Sequence, residues 1–189
     1  MAGLSLIDVG NAVSNPKVCI KVPSLVSGYP EKAGNILVCS SGSFGIVYKF
    51  NLTGGKKALR IWHKDLSTLG DIPRRTESIS TEISNLKSDY FVSYDYYEKG
   101  ILVNGIIYPL VVMDWCNGVP IKEYIKKYLN DKQTLQSLAK DFLVMIKSLH
   151  SKRISHGDLQ HGNILITNNH KIKLIDYDSM CVPSIEGKK

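Results

Sequence analysis

The sequence lacks the features that mark several common classes of protein. No apolar run approaches the ~20 residues needed to span a bilayer, and residues 1–20 have neither the basic start nor the apolar stretch of a secretory signal peptide. The four cysteines follow no metal-binding or redox spacing, which favours free thiols in a reducing compartment. Internal repeats and low-complexity segments are also absent. We therefore expect a cytoplasmic protein that does not act at a membrane.

The composition is that of a folded domain with a basic surface. The formal net charge is +7, but the lysines are dispersed and no nucleic-acid-binding motif is present, so we expect no nucleic-acid partner. Hydrophobic residues make up 43% of 189 residues, which is enough for a sizeable core. The length suits one domain with two unequal lobes.

Polar side chains flank a predicted hairpin near the end of the sequence. Residues 164–166 read as a short buried strand, Asn168 and Asn169 as a turn able to take positive φ, and residues 171–175 as the returning strand. This hairpin places Asn163 and Asp176 side by side, and their oxygens suit Mg²⁺. Asp158, on the preceding loop, is free to act as a base. Any one of these residues alone is also explained by turn formation.

The first half of the sequence predicts a second hairpin. Residues 36–39 and 46–50 read as strands around the loop Ser40-Ser41-Gly42-Ser43-Phe44-Gly45, and this strand–loop–strand order argues against a Rossmann or Walker loop. A plain β-turn is the alternative interpretation. The next strand, residues 57–62, carries Arg60, and alternation directs Lys57 away from Ala58 and towards solvent.

Further along, the pattern predicts one more buried strand and three helices. The strand covers residues 108–113, and the first helix covers residues 76–86. Apolar stripes predict helices over residues 121–128 and 135–149. The second of these should be a buried scaffold that nevertheless exposes one apolar flank.

These motifs, in this order, resemble the protein-kinase superfamily. The segment His156–Asn163 resembles H-R-D-L-x-x-x-N, Asp176 stands at the Asp of D-F-G, the loop with Gly42 and Gly45 resembles G-x-G-x-x-G-x-V, and Ala58-Leu59-Arg60 resembles V-A-I-K with arginine for lysine. The resemblance implies ATP and Mg²⁺ as cofactors, with Asp158 as base, Asn163 and Asp176 as metal ligands, and Arg60 with Glu82 as the phosphate clamp. We prefer Glu82 to Glu77 because the kinase pattern has an apolar residue one turn beyond this Glu. Leu86 takes that place after Glu82, whereas Thr81 takes it after Glu77. The resemblance further implies nucleotide contacts from Ser40, Gly42, Ser43, Phe44, Gly45, Val47, Ala58, Arg60, Met113 as gatekeeper, the hinge Asp114, Trp115 and Cys116, and Leu165.

Several segments narrow the resemblance to a group of bacterial kinase-like proteins, whose members also carry arginine in the third strand. They are Asn15-Pro16, Cys19–Pro23, Ala58–Trp62, Gly100-Ile101, Tyr108-Pro109, Met113–Trp115 and Ile175–Met180.

Three departures from the kinase pattern bear on mechanism. Gly157 replaces the Arg of H-R-D, which argues against control by an activation-loop phosphate paired to that arginine. Gln160 replaces the lysine that Ser/Thr kinases carry two residues after the catalytic Asp, which removes a charge that would stabilise the transferring phosphoryl group. Tyr177 and Asp178 replace Phe-Gly, which keeps an aromatic packing residue. The H-G-D form also resembles the small-molecule kinases that phosphorylate aminoglycosides or choline.

The sequence therefore predicts an α+β protein-kinase-like bilobal fold. Residues 1–116 form an antiparallel five-stranded N-lobe with a leader and hinge, and residues 117–189 form an incomplete helical C-lobe truncated after the D-F-G equivalent. The expected function is transfer of the γ-phosphoryl group of Mg·ATP to a Ser or Thr of a protein substrate. A small-molecule kinase and a pseudokinase that acts as a binding module are the alternatives.

Overall fold

The computed structural model describes residues 4–42, 45–63 and 71–185. They divide into two compact units, of which unit 1 comprises residues 1–77 and 93–115 and unit 2 comprises residues 78–92 and 116–189. The combination of helices with an antiparallel sheet in unit 1 matches the predicted fold class. None of the helices in the described part is long and apolar enough to cross a membrane.

Unit 1 is built on an antiparallel sheet. Its strands and an adjoining two-stranded ladder are β1 Tyr29–Pro30, β2 Lys32–Ala33, β3 Ile36–Leu37, β4 Cys39–Ser41, β5 Gly45–Leu52, β6 Gly55–Trp62, β7 Tyr94–Val103 and β8 Ile106–Asp114. The sheet order is β1-β5-β6-β8-β7, and β4 also pairs with β5. Within the described residues this sheet has six strands where five were predicted, because β1 and β4 pair with different parts of β5.

The register of this sheet sorts its side chains onto two faces. Val47 lies opposite Arg60, and Ala58 lies opposite Met113. Directly paired residues, and residues two apart on one strand, project to the same face of a sheet. These four side chains therefore share one face, and Leu59 lies on the other.

The second face of the sheet is covered by the N-terminal leader. The leader consists of α1 Leu6–Ser14, α2 Pro16–Cys19 and a 3₁₀ turn at Pro23–Leu25. Ser5 caps α1 by accepting a hydrogen bond from the Asp8 N–H at 3.1 Å. The core formed by leader and sheet contains Val9, Ala12, Val13, Ile20, Val22, Leu25, Ile46, Tyr48, Phe50, Leu59, Ile61, Ile101, Val103, Leu110 and Val112.

Helix α3 Ile72–Leu86 begins earlier than the sequence predicted and includes residues of both units. Pro73 lies in its first turn, where a missing N–H costs no helical hydrogen bond. Residues 78–92, which the sequence analysis placed in the N-lobe, group with unit 2. The cause is local, since Phe91 forms a parallel bridge with Leu174 and the Leu174 N–H donates to the Tyr90 carbonyl.

Unit 2 combines two helices with a small sheet. Its other elements are β9 Gly118–Pro120, α4 Ile121–Lys127, α5 Lys132–Ser151, β10 Ile164–Thr167 and β11 Ile172–Leu174. The order β11-β10-β9 confirms the predicted hairpin, although the positive φ of 58° falls on His170 rather than on the two asparagines. Asp131 caps α5 through the Thr134 N–H at 3.0 Å.

Helix α5 is buried along one side only. Leu138, Met145 and Leu149 are buried, whereas Leu143 and Val144 are 53% and 57% exposed. These two exposed side chains form an apolar flank, as the sequence analysis expected of this helix.

Candidate active site

The loop before β10 joins two of the predicted site residues directly. The Asn163 side-chain amide donates to the Asp158 carboxylate oxygen Oδ2 at 2.9 Å and to the Asp158 carbonyl at 3.1 Å. Gln160 donates to the same carboxylate oxygen at 3.1 Å. Because the amide nitrogen of Asn163 is used in this way, its oxygen Oδ1 is the atom that can accept a cation.

The hairpin β10–β11 brings the second acidic residue to the same end of the small sheet. Ile164 pairs with Leu174, and the Ile175 N–H donates to the Asn163 carbonyl at 3.0 Å. Asp176 follows immediately with a φ of 63°, a left-handed conformation that aspartate tolerates better than most residues. Asn163 thus directly precedes β10 and Asp176 follows the end of β11, at the same end of the predicted hairpin.

His156 connects the loop that carries Asp158 to this hairpin. Its ring is buried, its Nε2 lies 3.0 Å from the Ile175 carbonyl, and its Nδ1 lies 3.4 Å from the Asp158 N–H. Both contacts are satisfied by a neutral ring that carries its proton on Nε2. Burial lowers the pKa of His156, and this effect outweighs the opposing contributions of the Ile175 carbonyl and the nearby aspartates.

Tyr177 makes contacts that the sequence analysis did not foresee. Its hydroxyl donates to the Leu174 carbonyl at 2.6 Å and accepts from the Val92 N–H at 3.0 Å. Its fully buried ring packs edge-on against Phe91 and His156. The sequence predicts the aromatic packing of residue 177. The only sign of the hydroxyl's two contacts is Tyr in place of Phe, because a buried tyrosine hydroxyl needs a hydrogen-bond partner.

In unit 1, Arg60 lies next to the glycine-rich hairpin. Its side chain is buried and lies on the same face as Val47. A Cβ at Gly45 would come within 2.9 Å of the Ile61 carbonyl oxygen and 3.4 Å of Arg60 Nε, so this position has no room for a side chain. Ser40 pairs with Val47, and the Gly42 N–H donates to the Gly45 carbonyl at 2.9 Å. Ser43 and Phe44 lie outside the described residues.

The predicted hinge is bonded to neighbouring strands. The Asp114 N–H donates to Ser93 Oγ at 2.9 Å, and the Trp115 N–H donates to the Lys56 carbonyl at 3.1 Å. Lys57 does not simply project into solvent, because its Nζ pairs with Asp114 Oδ1 at 2.6 Å. Lys57 lies directly opposite Asp114 in the register, and alternation within one strand does not reveal this cross-strand partner.

A second cation supports the hinge from β5. Lys49 Nζ lies 4.8 Å from the centroid of the Trp115 ring and pairs with Glu31 at 2.7 Å. Glu31 also pairs with Lys56 at 2.7 Å, and the two lysines hold the pKa of Glu31 below its ordinary value. This charged cluster therefore ties β5 and β6 to Glu31, in the segment that follows the leader, and places Lys49 of β5 over the Trp115 ring.

The remaining predicted site residues are divided between the units. Met113 is buried on β8 of unit 1, and Leu165 is partly buried on β10 of unit 2. Cys116 begins the second part of unit 2, and burial raises the pKa of its thiol. Glu82 is partly buried on the part of α3 that belongs to unit 2, so its pairing with Arg60 stays a prediction.

An antiparallel sheet with a glycine-bearing hairpin, followed by an Asp–Asn loop and a second Asp after a short hairpin, defines a phosphotransferase-like architecture. Residues 39–186 match the protein kinase domain, and the chain belongs to this family.

Individual relatives support the same family. The chain is 27% identical over 146 residues to the serine/threonine-protein kinase KIC1 of Saccharomyces cerevisiae, which covers 74% of this chain and 13% of that protein. It is 27% identical over 154 residues to the probable serine/threonine-protein kinase mkcC of Dictyostelium discoideum, covering 82% of this chain and 16% of the relative. It is 31% identical over 150 residues to the maternal embryonic leucine zipper kinase of Danio rerio, covering 76% and 21%. The chain thus spans less than a quarter of each of these relatives.

Proposed function

We propose that this chain provides the nucleotide-binding and phosphoryl-transfer residues of a Ser/Thr protein kinase that uses Mg·ATP. The observation that carries the proposal is the double role of Asn163. Its side-chain amide donates to the Asp158 carboxylate, and its backbone carbonyl accepts from the N–H of Ile175, the residue before Asp176. This arrangement links a candidate base to two candidate metal ligands within one unit. The relatives' names, which describe serine/threonine kinases, favour a protein hydroxyl as acceptor.

The donor atoms in unit 2 fit Mg²⁺. Asn163 Oδ1 and the Asp176 carboxylate are hard oxygen donors, and Mg²⁺ commonly takes one or two such protein ligands with phosphate and water completing its shell. When bound, the ion neutralises charge that develops on the transferring phosphoryl group. Asp158 accepts the proton of the acceptor hydroxyl, and the amides of Asn163 and Gln160 orient its carboxylate.

Unit 1 supplies the nucleotide contacts in this proposal. Val47 and Ala58 share a sheet face with Arg60 and present an apolar surface to an adenine ring, while Arg60 offers a guanidinium group to phosphate oxygens. The orientation of this guanidinium group by Glu82 and the adenine contact of Leu165 stay predictions of the kinase resemblance.

The hinge contacts are restricted by the bonds already made. Because the N–H groups of Asp114 and Trp115 donate within unit 1, we assign the adenine contacts to the Asp114 carbonyl and to the backbone of Cys116. Met113 precedes them as the gatekeeper.

Two finer assignments rest on particular residues. Arg60 and the segments around Ala58–Trp62 and Ile175–Met180 favour the bacterial kinase-like group. Gly157, in His156-Gly157-Asp158, favours a small-molecule acceptor as the second candidate. An acceptor screen that offers peptides, an aminoglycoside and choline separates the two kinds of acceptor.

The test is transfer of labelled γ-phosphate from ATP to a mixed Ser/Thr peptide library. Loss of general-base catalysis predicts that Asp158→Asn lowers the rate about 10²–10⁴-fold. Asp141→Asn, an exposed carboxylate on α5, serves as the matched control and should leave the rate unchanged. Equal rates for Asp158→Asn and the unaltered chain would contradict the proposal, and nucleotide binding without any transfer would indicate a pseudokinase.

A further inference from the structure

The backbone at Gly157 favours glycine over other residue types for two separate reasons. Its φ is +77°, in the left-handed region. A Cβ built at Gly157 would overlap the carbonyl oxygen of Ser179 and lie 2.8 Å from its carbonyl carbon. The obstructing atoms belong to the backbone, so they cannot move aside by a change of side-chain rotamer.

The other glycines with positive φ show that this combination is unusual in the molecule. Within the described residues, Gly34, Gly55 and Gly105 also have positive φ, but a Cβ at any of them would meet nothing within 4 Å. Their conformation alone explains the choice of glycine. At Gly157 the close approach of another chain segment is an additional requirement.

That other segment is the one that follows Asp176. Ser155 and Cys181 exchange two backbone hydrogen bonds, at 3.0 and 2.7 Å, and the Met180 N–H donates to the Tyr177 carbonyl at 3.0 Å. Tyr177, Met180 and Val182 are fully buried. We call residues 177–182 the closing segment, because it returns from the second acidic residue to the loop that leads to the first.

Contacts on both sides of Gly157 make its position sensitive to this packing. On one side, Ser155 pairs with Cys181, and His156 lies against the Ile175 carbonyl. On the other side, Asp158 donates its N–H towards His156 and holds Asn163 through its carboxylate. A displacement of Ser179 would therefore change the distance between Asp158 and Asp176.

We propose that Gly157 is a positioning residue that allows the closing segment to pack on residues 155–158 and so fixes Asp158 relative to Asp176 before nucleotide binds. This inference rests on the proposed function for the roles of the two aspartates. It implies that the positions of Asp158 and Asp176 are already set in the nucleotide-free protein. The Arg found at this place in many kinases is incompatible with the observed approach of Ser179.

Amide hydrogen exchange of the nucleotide-free protein tests the packing claim. Gly157→Ala and Gly157→Asn are compared with Gly105→Ala, which introduces backbone strain at a φ of +81° in open space. Asparagine tolerates left-handed φ better than alanine, so strain alone would leave Gly157→Asn close to the unaltered chain. Overlap with Ser179 affects both variants alike.

We expect the Ser155 and Cys181 amides to exchange at least tenfold faster in both Gly157 variants, with the hairpin amides of Thr167 and His170 unchanged. Unchanged exchange at Ser155 and Cys181, or a normal rate in Gly157→Asn alone, would overturn the proposal. If unit 2 unfolds in both variants, amide exchange of the unaltered chain tests the proposal instead. Protection of Ser155 and Cys181 at least a hundredfold above an unstructured amide supports the proposal, and protection that develops only after Mg·ATP is added overturns it.

A metal titration separates positioning from general stability. At fixed ATP, the apparent Mg²⁺ affinity of Gly157→Ala should fall more than tenfold while ATP binding without Mg²⁺ is retained. Normal Mg²⁺ affinity in Gly157→Ala would overturn the positioning role and leave the proposed function in place. An unaltered chain that binds no Mg·ATP would remove the proposed function, whereas the exchange result would still stand.

Discussion

The two units hold their candidate site residues by different means. In unit 1, Val47, Ala58 and Arg60 lie on one face of a sheet whose register is fixed by long ladders of paired strands. In unit 2, Asp158 and Asp176 lie outside the short strands β10 and β11. Asn163 donates to the Asp158 carboxylate, and the Ile175 N–H, next to Asp176, donates to the Asn163 carbonyl. Strand alternation is therefore sufficient to place the first group, whereas the second group depends on individual hydrogen bonds.

The interiors of the two units differ in the same way. The core of unit 1 is apolar and includes the leader, which covers the sheet face opposite Arg60. Unit 2 buries the polar residues His156 and Asn163. It also buries Tyr177, whose ring packs against His156 and whose hydroxyl makes two hydrogen bonds. We therefore expect unit 1 to be sensitive to lost apolar volume and unit 2 to be sensitive to lost polar atoms.

The largest expected effect on stability is in the core of unit 1. Phe50 is fully buried on the leader-covered face, so Phe50→Ala should lower the free energy of unfolding by about 3–5 kcal/mol. Both tryptophans, Trp62 and Trp115, lie in unit 1, so urea denaturation followed by their fluorescence reports this change. Ile36→Ala, at a side chain that is 75% exposed, is the control and should change stability by no more than about 0.5 kcal/mol. A similar loss in both variants would contradict the core assignment.

The next effect concerns the buried hydroxyl of unit 2. Tyr177→Phe removes a donor to Leu174 and leaves the Val92 N–H without its acceptor, which should destabilise unit 2 by about 1–3 kcal/mol. Hydrogen exchange at the β10–β11 amides measures the loss. Tyr29→Phe, at an exposed ring in unit 1, provides the control. Unchanged exchange in Tyr177→Phe would show that polar contacts do not distinguish unit 2.

The pH dependence of unit 2 gives a smaller effect. Since burial lowers the pKa of His156, the unfolded chain binds a proton as the pH falls below ~6.5 while the folded chain resists it. His156 should therefore favour unfolding as the pH falls through that range, by at most about 1.4 kcal/mol per pH unit, until the lowered pKa is reached. The difference in unfolding free energy between the unaltered chain and His156→Asn isolates this contribution between pH 7 and 5. Parallel pH profiles would contradict it.

The smallest effect is expected at the surface pair of the hinge. Burial raises the pKa of Asp114, but hydrogen bonds from Lys57 and Ser93 outweigh this and lower it overall. Lys57→Met should raise the pKa of Asp114 and cost no more than about 1 kcal/mol, because the Asp114 side chain is 57% exposed. A nuclear magnetic resonance titration of the carboxyl carbon measures the shift, with Lys126→Met on α4 as the control. An unchanged pKa of Asp114 in Lys57→Met would show that Lys57 does not lower the pKa of this carboxylate.

Much of the framework could be predicted from periodicity and motif order. The alternating apolar residues around Arg60 and the pair of short runs around Asn168 predicted a strand and a hairpin that the structure contains. Local sequence carries this information because a side-chain period of two reflects the pleat of a strand. The same patterns placed helix α5 to within a few residues.

The contacts that adjust the site could not be read from local sequence. The approach of Ser179 to Gly157 and the bonds of the Tyr177 hydroxyl join segments that alternation does not relate. The engagement of the Asp114 and Trp115 N–H groups likewise depends on where Ser93 and Lys56 lie. Periodicity describes one segment at a time, and these contacts arise only when segments pack.

If Asn163 and Asp176 form a metal site that serves a bound nucleotide, the effect of ATP on thermal unfolding should depend on whether Mg²⁺ is present. At a hundredfold excess over Kd, binding should add about 2.7 kcal/mol, or roughly 5–10 °C in Tm for a chain of this size. We predict a Mg²⁺-dependent increase in the unaltered chain that Asp176→Asn loses. No increase in Tm of the unaltered chain, or an equal Mg²⁺-dependent increase in Asp176→Asn, would contradict a metal site formed by Asn163 and Asp176.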